Sequence, residues 1–277
     1  MNKFYFIFYL ALFLGINSLF GQPLIKTRNL ETLDYIIKYD LIFQEDSTNN
    51  QFLITEPMIL LVGDEISSFL SYNKLRRDSV SQRITNQAEF SAFLQTYHHN
   101  SPMPRVFYTI YKNYPNGKVT YYGMLFPERF HYFENYKAFN WTIHDQLKVL
   151  YGYTLQKATT RYGGRDWIAW FAPEIPLSEG PYKFSGLPGL IVEIYDTQNH
   201  YRFEMTSIVK SGGNEFINIP VEMSSKEISR KQFNEAWQRF LQNPEAAMGS
   251  TIISESPEIR SRRMQIRRNN PIELNAD

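Results

Sequence analysis

The chain lacks cysteine throughout its 277 residues. This absence excludes disulfide bonds, thiolate chemistry and any metal site with Cys ligands. An excess of charge of one sign is also missing, because 29 Lys and Arg residues balance 28 Asp and Glu residues. Phosphate recognition needs a surplus of basic side chains, so the near-zero net charge argues against nucleic acid as the main partner.

Recognisable catalytic and cofactor motifs are missing as well. The five histidines contain no i, i+4 pair with the intervening Glu of a zinc protease. The glycines form neither a P-loop nor a dinucleotide fingerprint, and no G-x-S-x-G nucleophile elbow occurs. We therefore expect a protein without a metal, without a cofactor and without enzymatic activity.

The N-terminal residues have the layout of a secretory signal peptide. Lys3 precedes an apolar run from Phe4 to Ile16, and Gly21-Gln22 offers a small residue for cleavage. A membrane anchor is the alternative, but a spanning helix needs ~20 apolar residues and this run is shorter. We expect a signal peptide over residues 1–21 and an exported mature chain without a transmembrane segment.

Closely spaced turns and alternating apolar residues predict a sheet. Turn signals occur at Gly63-Asp64, at Tyr114–Gly117 and at Gly163-Gly164. Strands this close in sequence pair antiparallel, because parallel pairing needs long crossovers. Two segments, residues 78–97 and 225–241, change to helical spacing. We expect an α+β, mainly β fold, in which a curved antiparallel sheet of hairpins packs with two helices.

Domain organisation follows from the absence of repeats and of low-complexity linkers. We expect one β-rich domain over residues 22–253 and a polar, loosely held tail over residues 254–277. The tail contains five arginines within nine residues, which are Arg260, Arg262, Arg263, Arg267 and Arg268. Such a cluster is typical of a solvated tail, and contact with an acidic partner or with phospholipid head groups is the alternative.

The most unusual stretch is the loop between residues 172 and 189, which holds four prolines and three glycines. Neither a helix nor a central strand tolerates that density, and ordered loops of this length are often functional. Pro188 and Gly189 suit the second and third positions of a type II turn. Two interpretations stay open: the loop seals the core, or it lines a ligand cleft.

Strand parity places the two tryptophans before this loop on opposite faces, because side chains alternate along a strand. The residues we expect to bind a ligand lie in and around the loop and are Trp167, Trp170, Glu174 and Tyr182. If the protein were a hydrolase, the candidate acid–base residues of this region would be Asp166, Glu174, Glu179 and His144.

The sequence around this loop resembles the GLPGLI family of exported envelope proteins of Gram-negative bacteria. The signature residues are Gly186, Leu187, Pro188, Gly189, Leu190 and Ile191. The preceding Trp167–Pro176 segment and the Asn270–Leu274 ending are similar to the rest of the family pattern. Many members have Cys where this chain reads Tyr153-Thr154-Leu155. The resemblance implies a location in the periplasm or outer envelope but no activity, substrate or catalytic residue.

Three functions remain in competition. The first is a binding or carrier module for an apolar ligand or a peptide, which the 21 Phe, 19 Tyr and 4 Trp residues favour. The second is a structural protein that docks on an outer-membrane complex through exposed strand edges. A hydrolase is the third, and it requires titratable groups that converge in one pocket.

Overall fold

The structure is a computed structural model. It describes residues 27–49, 51–100, 102–125, 128–136, 139–220, 225–242 and 269–275. The predicted signal peptide and the arginine cluster of the C-terminal tail lie outside these ranges. No helix among the described residues is long and apolar enough to cross a membrane.

The described chain is mainly β. The strands are β1 (Thr27–Thr32), β2 (Tyr35–Gln44), β3 (Leu53–Val62), β4 (Ser67–Ser71), β5 (Thr109–Lys112), β6 (Lys118–Leu125), β7 (Glu128–Asn135), β8 (Thr142–Leu150), β9 (Tyr153–Tyr162), β10 (Arg165–Ala172), β11 (Leu190–Asp196), β12 (Tyr201–Lys210), β13 (Phe216–Pro220) and β14 (Lys226–Glu227). The helices are α1 (Tyr72–Ser81), α2 (Gln87–Asn100) and α3 (Arg230–Gln242).

Twelve of these strands form one sheet in the order β14-β7-β6-β5-β4-β3-β2-β12-β11-β10-β9-β8. All neighbours are antiparallel except β14 and β7, which make a short parallel contact. The sheet is open within the described ranges, with β14 and β8 at its edges. The prediction of a mainly β, antiparallel fold is confirmed, and the curvature expected of the sheet stays a prediction.

The helix predicted over residues 78–97 is wrong as a single element, because the structure has α1 and α2 in this region. Helix α1 begins earlier, where the Ser71 hydroxyl accepts a hydrogen bond from the Lys74 amide at 3.1 Å. Helix α2 has its own capping box: Asn86 accepts from the Glu89 amide at 2.9 Å, and Glu89 accepts from the Thr85 amide at 2.8 Å. The cap at Asn86 therefore divides the predicted helix, whereas the cap at Ser71 lies before it.

The second predicted helix, over residues 225–241, begins later than expected. Ser229 and Gln232 form a capping box, with hydrogen bonds of 3.1 and 2.8 Å between their side chains and each other's amides. Helix α3 consequently starts at Arg230. Lys226 and Glu227 instead pair with β7 as β14.

Strand β8 ends at a turn where Tyr151 and Gly152 have φ values of 53° and 82°. Strands β1 and β13 were not predicted. They pair with each other as a two-stranded sheet, called the ribbon below.

Apolar clusters cover both faces of the sheet. The inner face has the main core, which includes Tyr39, Phe69 and Trp167. The outer face has a smaller cluster, in which Ile217 and Ile219 of the ribbon pack against residues such as Ile59 and Leu61 of β3, or Tyr111 of β5. Burial on both faces explains why Met58–Val62 is continuously apolar rather than alternating.

Candidate functional site

The two tryptophans predicted to bind a ligand lie on opposite faces, as strand parity indicated. Trp167 is 1 % exposed on the inner face, where its indole N–H donates to the Tyr162 carbonyl at 3.0 Å. The ring of Phe184 packs against it with a centroid distance of 4.8 Å. Trp170 lies half-buried on the outer face, 4.6 Å below the Lys148 ammonium. The sheet therefore separates the two indoles.

Tyr182 and Glu174 do not join either tryptophan in a common cleft. Tyr182 is 1 % exposed, and its hydroxyl donates to Glu273 Oε1 at 2.6 Å. Glu174 is exposed and accepts a hydrogen bond from the Thr154 amide at 3.0 Å. The four predicted ligand residues thus occupy three separate environments.

The acid–base candidates are equally scattered. Asp166 is exposed and lies 3.5 Å from Arg161, whereas Glu179 is an ion-pair partner of Lys112. His144 Nε2 lies 2.8 Å from Thr159 Oγ1 on the β8–β9 hairpin. Among the described residues, no three His, Asp or Glu side chains are grouped so that they could hold a metal ion.

The loop from residue 172 to 189 seals one end of the core. Lys112, 1 % exposed, donates to the carbonyl oxygens of Gly180 at 2.8 Å and Phe184 at 3.2 Å, and it pairs with Glu179. The Ser67 hydroxyl donates to the same carboxylate at 2.9 Å. Burial lowers the pKa of Lys112, and the Glu179 carboxylate opposes that shift. One buried ammonium therefore satisfies the backbone groups that this proline-rich loop leaves unpaired.

Gly189 has a φ of 152°, and a Cβ atom there would lie 2.2 Å from the Ala172 carbonyl oxygen. The predicted type II turn is wrong. The Gly189 amide donates to the Leu187 carbonyl at 2.8 Å in a three-residue turn. The Leu190 amide, which a type II turn would pair with Leu187, donates instead to the Ile175 carbonyl at 3.1 Å. Close approach to β10 and the unusual φ are what require glycine here.

A buried ion cluster lies beneath the same loop. Its members are Lys183, Glu134, Glu273 and Arg230. Glu273 lies 2.7 Å from Lys183 and 2.8 Å from Arg230. Burial alone would raise the pKa of Glu273, but the two cations and the hydrogen bonds from Lys183 and Tyr182 hold it at about 2.

Four tyrosine rings surround the Lys183 ammonium, with centroids 5.0 to 5.9 Å away. They belong to Tyr121, Tyr132, Tyr162 and Tyr182. Burial, followed by the nearby Glu273 carboxylate, raises the pKa of each of these phenols, which keeps them neutral hydrogen-bond donors. The cluster is closed and mutually paired, as expected of a structural network.

Arg165 anchors the C-terminal segment. Its guanidinium donates to Asn270 Oδ1 at 2.6 Å and to the carbonyls of Pro271 and Ile272 at 2.7 and 3.0 Å. It also pairs with Asp196 at 2.9 Å. The expectation of a loosely held tail is therefore wrong for residues 269–275, in which Asn270 is 4 % and Glu273 is 8 % exposed.

The outer face carries a groove of about 320 Å³ between the ribbon, the turn that precedes β6, and strands β6 and β7. It is called the aromatic groove, and its walls include Arg28, Tyr114, Pro115, Tyr122, Phe133 and Pro220. Arg28 Nη2 donates to the Tyr114 hydroxyl at 2.5 Å. Phe133 is 39 % exposed, and burial raises the pKa of Tyr122, so that this phenol is neutral. The groove combines aromatic faces with one cation.

The His131 ring continues the aromatic groove toward β14. The rings of Tyr122 and Phe133 lie 5.4 Å from it, measured between centroids. Ser225 Oγ is 2.9 Å from His131 Nδ1, and Glu227 Oε2 is 3.8 Å from His131 Nε2. Sequence reasoning missed this arrangement because Ser225 lies 94 residues after His131 and begins the segment predicted as a helix. No local pattern could have revealed it.

Comparisons with known proteins agree with the fold and leave the activity open. Residues 164–193 match the family described as "Protein of unknown function (Porph_ging)". No curated protein matches the chain. Two solved structures of PNGF-II, in space groups P21 and C2, are similar to it with TM-scores of 0.48 and 0.50 and identities of 14 % and 13 %. Each alignment covers 74 % of this chain and 33 % of PNGF-II, so the chain spans about a third of those structures.

Proposed function

We propose that this chain is a binding module whose ligand occupies the aromatic groove. A carrier that encloses an apolar ligand against the inner face is disfavoured, because large side chains fill that face. Tyr39, Phe69 and Phe203 are each less than 2 % exposed there. The aromatic groove is the observation that carries the proposal, since it offers a concave, accessible surface with three aromatic rings on the opposite face.

The chemistry of the groove favours an extended, proline-rich peptide. Grooves lined by aromatic rings are the usual receptors for polyproline II segments, which dock their rings between aromatic side chains. Such a segment has no internal hydrogen bonds, so its carbonyl oxygens are free to accept. Arg28 is held at the rim by Tyr114 and has further N–H groups to donate to them.

A decaproline peptide is the probe that tests this proposal. We expect saturable binding by isothermal titration calorimetry, with at least a tenfold weaker Kd for Tyr122→Ala and for Arg28→Ala. Phe52→Ala is the matched control, because Phe52 is 71 % exposed outside the groove walls. Absence of binding, or equal weakening by the control, would reject the groove as the ligand site.

We also propose that the protein is exported to the periplasm or outer envelope as a GLPGLI-type protein. The signal-peptide pattern of residues 1–21, the GLPGLI signature itself and the match of residues 164–193 to a family of unknown function support this. Fractionation of the native host, with N-terminal sequencing of the mature protein, tests it. A cytoplasmic chain that retains Met1 would contradict it.

Docking on a protein partner is the second candidate, and the edge strand β8 favours it. Ile143, Leu147, Val149 and Tyr151 lie on or beside this edge and are 46 to 74 % exposed. Exposed apolar edges are templates for the addition of another strand. Leu147→Lys with Val149→Lys should abolish recovery of a stoichiometric partner from envelope extracts, whereas decaproline binding should stay unchanged.

A further inference from the structure

We propose that Ser225 and His131 form a nucleophile–base pair that hydrolyses carboxylic esters at the end of the aromatic groove. Ser225 Oγ and His131 Nδ1 are 2.9 Å apart, which is hydrogen-bond distance. A serine becomes a useful nucleophile when an adjacent base accepts its proton. This inference departs from the sequence-based expectation of a protein without enzymatic activity.

Glu227 favours the tautomer that this chemistry needs. A neutral imidazole carries one proton, and the nitrogen without it accepts. The Glu227 carboxylate lies 3.8 Å from Nε2, so its charge favours the proton on that nitrogen. Nδ1 is then the acceptor that faces the Ser225 hydroxyl. Glu227 is therefore a positioning residue, and at 68 % exposure its effect is the smallest of the three.

The fold holds the two catalytic residues in register. The Ile228 amide donates to the His131 carbonyl at 3.0 Å, and Glu227 pairs with His131 in the parallel β14–β7 contact. The His131 ring is only 16 % exposed, because Tyr122 and Phe133 pack beside it. Backbone pairing thus sets the position of Ser225, and ring packing sets the imidazole orientation.

The reaction balances without any added oxidant or reductant. Ser225 Oγ bonds to the ester carbonyl carbon while its proton moves to His131 Nδ1. The bond from that carbon to the alkoxy oxygen then breaks, and His131 returns the proton to the leaving alcohol. Water attacks the acyl-serine by the same route, which releases a carboxylic acid and restores the Ser225 hydroxyl.

Esters with an apolar or aromatic group suit this site best. The rings of Tyr122 and Phe133 belong both to the groove wall and to the surroundings of His131, so a group bound against them lies next to the nucleophile. An ester releases an alcohol, a better leaving group than the amine of an amide. The substrate preference rests on the proposed function of the groove, whereas the chemistry of the pair does not.

Two probes test the chemistry with the full mature chain. One is the hydrolysis of p-nitrophenyl acetate, and the other is a fluorophosphonate, which bonds through phosphorus to a reactive serine and releases fluoride. We expect one label per chain, located on Ser225 by peptide mass mapping. Ser225→Ala and His131→Ala should each lower kcat/KM at least tenfold. Ser211→Ala, a half-buried serine of the loop between β12 and β13, is the matched control.

Each possible result either supports or overturns the proposed hydrolysis. Absence of label and of hydrolysis above buffer, label at another residue, or wild-type kcat/KM in Ser225→Ala would overturn it. Glu227→Gln should lower kcat about threefold without a change in the urea unfolding midpoint, and Glu227→Asp should restore part of it. Because p-nitrophenyl acetate is too small to need the groove, loss of decaproline binding alone would reject the binding proposal and leave this one standing.

Discussion

Glu273 Oε1 lies 2.7 Å from Lys183 Nζ in the core, although 90 residues separate them in the chain. Both side chains are less than 10 % exposed. The pair joins the C-terminal segment to the proline-rich loop. Both segments look polar or irregular in sequence, yet their side chains form one buried network.

Glu273→Gln should lower the free energy of unfolding by about 3 kcal/mol at pH 7, because it leaves Lys183 and Arg230 buried beside a neutral amide. Urea denaturation measures the change. The matched control is Glu235→Gln on α3, where the carboxylate is exposed and a change below about 0.5 kcal/mol is expected. Equal effects of the two variants would contradict the role of the ion cluster.

The same carboxylate should make stability depend on acid pH. Its pKa is about 2 in the folded state and about 4.3 in an unfolded chain, so the folded state binds fewer protons. The stabilisation that the ionised Glu273 carboxylate gives to the folded state is complete above about pH 4.3 and is lost as the pH falls through about 2. The stability difference between wild type and Glu273→Gln should therefore shrink by about 3 kcal/mol over that window. A constant difference between pH 5 and pH 2 would refute this.

In a chain that ends at Arg268, the free energy of unfolding should fall by on the order of 4 kcal/mol, because Arg165 and Lys183 both lose buried partners. The control ends at Asn275 and keeps every described contact of the segment. Thermal unfolding followed by circular dichroism compares the two. If both melt at the same temperature, the docked segment contributes nothing to stability.

Gly189→Ala should lower the free energy of unfolding by about 3 kcal/mol. The new Cβ would lie 2.2 Å from the Ala172 carbonyl oxygen, and the alanine would have a strained φ of 152°. Gly189→Val should be worse, because a branched side chain resists that conformation more strongly. Gly212→Ala is the control, since a Cβ there meets nothing within 4 Å. A melting temperature unchanged in Gly189→Ala would count against the tight approach.

Trp167→Phe should lower the free energy of unfolding by about 2 kcal/mol, because it leaves a cavity and removes the indole hydrogen bond to the Tyr162 carbonyl. Trp170→Phe should cost less than about 1 kcal/mol, since its ring is half-buried beneath Lys148. Acrylamide should quench the fluorescence of wild type and Trp167→Phe more than that of Trp170→Phe. The reverse order would mean that the two faces are wrongly assigned.

The sheet was predictable where the information is local. The turn at Gly163-Gly164 has φ values of 59° and 77°, which glycine adopts freely, and the flanking strands pair as expected.

The prediction of a single helix over residues 78–97 was wrong for a reason that is also local. Its apolar spacing continues through residues 82–86, but Asn86 and Glu89 cap a new helix there. Apolar periodicity indicates which face of a helix is apolar, but it does not indicate where a capping residue interrupts the helix.

Strand parity, antiparallel pairing and the absence of thiol chemistry could be derived from the sequence, because they depend on neighbouring residues and on composition. The need for glycine at position 189 comes from the approach of the Ala172 carbonyl, which the fold produces. The choice of polar side-chain partners likewise depends on the fold. Lys112 with Glu179, Arg165 with Asn270 and His131 with Ser225 are each at least 67 residues apart. A sequence records the distance between such residues along the chain, and the fold alone sets their distance in space.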